Sequence, residues 1–126
     1  HSLSHAGDTN EGMQPEWERT LTWYAELFSY LITRLSEIPE GDGTLLDNTL
    51  VIWGNEISRG NTHNLNDIPF VLAGGAGGAL KTGQYLRYPG IAHNQLLLSV
   101  IQAFGIEAST FGASHLNNGI LTELMA

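Results

Sequence analysis

At 126 residues the chain has room for one ordinary domain or part of one. Hydrophobic residues at 42% against 14% charged mark a chain that folds, and thirteen acidic against five basic side chains leave a formal charge of -8, which argues against a nucleic-acid surface. The absence of cysteine excludes disulfides, thiolate metal sites and a Cys nucleophile within the chain.

From His1 to Gln14 small polar residues and turn formers predominate, so a loop is expected. Pro15, Glu16 and Glu18 suit the first turn of a helix. Trp17, Leu21, Tyr24, Phe28, Leu31, Leu35 and Ile38 then recur at alternating spacings of four and three, which predicts an amphipathic helix ended by Pro39 and the Gly41 to Gly43 cluster. The aromatic stripe reads as core packing.

After the turn signal Asp47-Asn48, Thr49 to Trp53 is a continuous apolar and β-branched run, and Ile68 to Ala73 is a second. Runs without alternation are expected of strands buried on both faces, so the predicted class is α/β with a mostly parallel sheet covered by helices. Gly74 to Gly78 is a break, Tyr85 to Tyr88 a candidate short strand, and Asn94 to Phe104 a second helix ended by Gly105, with His93 at its opening. An irregular tail holding His115 follows. The longest apolar run, Leu96 to Ile101, is far short of the roughly 20 residues that span a bilayer.

The glycine run does not make a phosphate cradle. From Gly75 to Thr82 it approaches the P-loop, but Leu80 stands where the second glycine belongs, and the dinucleotide fingerprint lacks its third glycine at the same position. A strand-exit turn is the simpler reading. The polar set after the first strand is more informative: Asn55, Glu56, Ser58, Arg59, Asn61, His63, Asn64 and Asp67 fall at its carboxyl end, where open α/β sheets bind ligands. A second set, His1, His5, Asp8 and Glu11, lies in the N-terminal loop. Imidazole and carboxylate are ligands for zinc, manganese or iron, although the spacing of His1 and His5 by itself is weak evidence.

The segments HSLSHAGDTNE (His1 to Glu11), DNTLVIWGNEISRG (Asp47 to Gly60), NTHNLNDIPFVLAGGAGG (Asn61 to Gly78) and NQLLLSVIQAFGIEASTFG (Asn94 to Gly112) together resemble the secreted bacterial family called domain of unknown function 1552 (DUF1552). That family is in turn similar to the alkaline-phosphatase-like superfamily, which includes sulfatases. The resemblance implies the C-terminal portion, residues 1–126, of a longer three-layer α/β/α sandwich, secreted or periplasmic, whose missing N-terminal part supplies the nucleophile. It implies divalent metal ions (zinc, manganese or calcium) held by His5, Asp8, Glu56 and His63, with Arg59 and Asn55 facing a small anionic ester. Asn55 and Glu56 depart from the Asp-His or Asp-Asn pair typical of the superfamily. The expected function is metal-dependent hydrolysis of phosphate or sulfate esters; the alternative is a non-catalytic envelope binding protein that keeps the fold without the metal site.

Overall fold

A computed structural model describes residues 1–5, 13–116 and 119–126. Helix α1 spans Gln14–Ser36, with Pro15 in its first turn and Glu37 at its C-cap. Its half-buried side chains, among them Trp17, Phe28, Ile32 and Leu35, share one face, and the Phe28 ring lies 5.6 Å from that of Trp53. A hairpin of β1 (Pro39–Glu40) and β2 (Gly43–Thr44) turns at Gly41, whose φ of 57° suits a residue without Cβ. A single helical turn, α2 (Leu45–Asn48), leads into β3 (Val51–Gly54), which pairs with β4 (Phe70–Ala73). Helix α3 (Asn94–Ala103) and two 3-10 turns, Ser114–Leu116 and Thr122–Leu124, complete the order.

The expected parallel α/β/α sandwich is not what forms. Each sheet has two strands, and the pairing of β3 with β4 is antiparallel, Val51 opposite Ala73 and Gly54 opposite Phe70. The alkaline-phosphatase-like fold is therefore overturned. The physical reason lies in residues 55–69: a parallel return needs a crossover, usually a helix, whereas this polar segment forms a loop that folds straight back. The apolar runs also misled on burial. Val51, Trp53, Phe70 and Leu72 turn inward, but Ile52 is 37% exposed and Val71 45%, so the outward face of the hairpin is apolar without being covered by a described element.

The core gathers around α3. Leu96, Leu98, Leu80, Ala76, Leu121 and Leu124 are buried, with Leu50, Phe70, Leu72, Leu86 and Tyr88 packed at its border. Ser99, fully buried, donates its hydroxyl to Gln95 O (2.7 Å) and accepts from Leu121 N (2.8 Å), which ties the C-terminal segment to α3. That segment is less irregular than expected: Lys81 N donates to Leu124 O and Ala126 N to Ala79 O, bracketing a bridge between Leu80 and Met125. Tyr85 to Tyr88, a candidate strand, forms no strand. The glycine run closes on α2: Gly77 N donates to Asp47 O and Ala76 N to Thr49 O, and a Cβ on Gly74 (φ 98°) would stand 2.2 Å from Thr49 O. Its amides thus serve a strand-exit turn.

Candidate functional site

The loop after β3 is shaped by its own backbone. Ser58 N donates to Asn64 O at 2.8 Å, Asn64 N to Arg59 O at 3.2 Å, and the Ser58 hydroxyl adds a third bond to Asn64 O. This pinches residues 58–64 into a tight loop with His63 near its end. His63 has φ 51°, a left-handed conformation uncommon for a residue with a side chain, and it is held there by the bonds around it.

The N-terminal turn is built in a similar way. His5 N and the Ser4 hydroxyl both donate to His1 O, which sets the rings of His1 and His5 on one side, 4.5 Å apart between centroids. What brings this turn to the loop is Gly60. A Cβ there would meet Ser4 O at 2.1 Å, so only glycine lets the two backbones approach so closely.

The consequence is a meeting of two histidines 58 residues apart: His5 Nε2 and His63 Nε2 are separated by 3.4 Å, with ring planes inclined at 71°. Of the four residues expected to hold a metal, the fold thus brings His5 and His63 together. Glu56 is exposed on the loop and does not complete a trio with them, since no group of three His, Cys, Asp or Glu in metal-holding geometry occurs among the described residues. Asp8 and Glu11 lie outside the described residues.

Beside the junction is a cleft of about 210 Å³, open on one side, lined by Ser4, Trp17, Ser58, Arg59 and Asn61 among others. Arg59, the side chain expected to meet an anion, is among the residues that line this cleft. Asn55 is exposed at the strand exit and is not among the residues lining the cleft. Asn61 Oδ1 is buried and has no hydrogen-bond partner, an acceptor whose need for a donor was not foreseen. Sequence reasoning also passed over Gly60, because one glycine in a polar loop gives no sign of what will pack against it. His93 starts α3 and its ring lies 6.1 Å from that of Phe70, and His115 sits in a 3-10 turn; neither joins the pair.

No family model matches the chain, and no curated protein or solved structure matches it either.

Proposed function

We propose that the chain contributes a divalent transition-metal site, with the Nε2 atoms of His5 and His63 as neighbouring ligands, and that the site serves hydrolysis of a phosphate or sulfate ester. The observation that carries this reading is the 3.4 Å between the two nitrogens. Two ligands at ~2.0–2.1 Å from a tetrahedral ion stand ~3.3–3.4 Å apart, whereas a hydrogen bond between imidazoles closes to ~2.7–3.2 Å. The spacing fits a shared ion better than a shared proton. An imidazole pair favours zinc, manganese or iron over calcium, which takes oxygen ligands.

A bound ion would supply Lewis acidity and a hydroxide-like water near neutral pH. The chain's own contribution is to hold two imidazoles at a fixed bite and to set Arg59 on a neighbouring cleft, where a guanidinium can bind two oxygens of an anionic ester. Asp8 enters as a proposed further ligand and Asn55 as a proposed substrate contact; Glu56, which forms no metal-holding trio with the pair as the loop stands, is a proposed ligand only if that exposed loop shifts. Membership of the DUF1552 family, and with it a secreted or periplasmic location, is proposed from the sequence resemblance alone. Among the described residues no helix is long and apolar enough to cross a membrane.

The test is zinc titration calorimetry on the wild type, His5→Ala and His63→Asn, followed by assay on p-nitrophenyl phosphate and sulfate of the zinc- and manganese-loaded longer protein that the family resemblance implies, because the nucleophile is expected from its N-terminal part. Asparagine tolerates the left-handed backbone at position 63, so loss of metal there is a loss of ligand and not of loop shape. One ion per chain is expected, with each variant weakened by more than the roughly 10–100-fold that outlying partners of a metal site contribute. Equal zinc affinity in all three proteins would end the metal reading. Tight zinc binding without turnover of either ester would leave the site and favour the binding-protein alternative.

A further inference from the structure

We infer that α1 is a self-association surface, on which a second copy of this chain docks its own α1 in antiparallel orientation. Phe28 and the half-buried side chains beside it turn toward α2 and β3; about a third of the way round the helix, at ~3.6 residues per turn, a second row carries Glu16, Thr20, Trp23, Leu27, Tyr30 and Arg34. These positions alternate at spacings of four and three, the seam of a helix that packs against another helix. Their apolar members are left open: Trp23 is 53% exposed, Leu27 46% and Tyr30 66%. At ~1.5 Å per residue the seam runs for about 27 Å.

The sequence of the seam selects the occupant. In an antiparallel pair related by a two-fold axis midway between Trp23 and Leu27, Trp23 meets Leu27 of the copy and Thr20 meets Tyr30. Glu16 at one end meets Arg34 at the other, twice over. Apolar residues fall in the centre and opposite charges at both rims, the self-complementarity that an isologous interface requires. Arg34 now pairs with Glu37, and Glu16 with Arg19 at 3.7 Å, but both are exposed pairs within one helix and are exchanged at little cost. One element opposes docking: Glu26 borders the seam near its midpoint and approaches its own copy across the axis. A bilayer is a poorer occupant, because the chain's charge of -8 is repelled by anionic lipid. The inference is independent of the metal site.

Sedimentation equilibrium over a range of protein concentrations tests it, with circular dichroism confirming that each variant keeps its helix content. The wild type is expected to populate a dimer. Leu27→Glu should be monomeric throughout, Arg34→Glu should raise the dimer dissociation constant about tenfold, and the double variant Glu16→Arg/Arg34→Glu should recover most of that loss. Glu26→Gln should dimerise more tightly than the wild type. A monomeric wild type and Glu26→Gln at every concentration would overturn the proposal, as would a dimer indifferent to Leu27→Glu, which would place the contact on another face. A double variant no better than Arg34→Glu would overturn the antiparallel register.

Discussion

Gly60 decides whether His5 and His63 form a pair. The rings belong to separate turns, and the approach of these turns requires the missing side chain at position 60, where a Cβ would lie 2.1 Å from Ser4 O. Gly60→Ala should therefore part the two imidazoles while leaving every ligand in place. The expected outcome is a stability loss of about 1–3 kcal/mol, the usual cost of overpacking, and zinc affinity falling toward that of His5→Ala. Unchanged zinc affinity by calorimetry would show that the pair does not depend on this approach. Both histidines were of ligand type in the sequence, imidazole near carboxylate and without thiolate, but a solvated polar loop was an equally simple reading of each. Their meeting could not be read there, because it rests on a contact between Gly60 and Ser4 to which no pattern points.

At the scale of the element, α3 and α2 each depend on one polar side chain. Ser99 is buried in α3 and bridges Gln95 O to Leu121 N; Ser99→Ala leaves the Leu121 amide without its acceptor. A cost of about 1–3 kcal/mol is expected from an unsatisfied buried group, measured as the change in urea midpoint. A loss below a few tenths would mean that the segment around Leu121 is held by the Leu121 and Leu124 side chains alone. In α2, the Thr44 backbone amide donates to Asp47 Oδ2 at 2.7 Å, and the Thr44 hydroxyl donates at 2.8 Å. These two bonds outweigh a small desolvation and hold the Asp47 carboxyl below its usual 3.8. Because the folded value is the lower one, the stabilisation is present in full above 3.8 and is lost as pH falls through the folded value. Asp47→Asn should thus be less stable than the wild type at neutral pH and should converge with it in strong acid. Parallel acid-unfolding curves would contradict the role given to this cap. Helix α1 shows the reach and the limit of periodicity: its aromatic and leucine spacing located the element to within a few residues, but the stripe is not the packed core expected of it, since no residue of α1 is buried and Leu21, Tyr24 and Leu31 are 40%, 49% and 44% exposed.

For the molecule as a whole, a core concentrated on α3 coexists with an α1 that has no buried residue. If two copies join through α1, the dimer binds native chains and not unfolded ones, so the thermal midpoint should rise with protein concentration. The same scan on Leu27→Glu should show no dependence; a concentration-independent midpoint in the wild type would count against association. The sequence by itself determined the places of α1, α3 and the two longer strands, because hydrophobic period, proline and glycine act within a few residues of one another. The candidate site residues, His5, Asp8, Glu56 and His63 with Arg59 and Asn55, came from the family resemblance on top of their ligand chemistry. Only the tertiary structure decided that β3 and β4 run antiparallel, that one of their apolar faces is exposed, and that His5 stands beside His63. Strand direction follows from how residues 55–69 return, and the histidine pair from a close backbone approach. Both are set by contacts between distant parts of the chain, to which local patterns are blind.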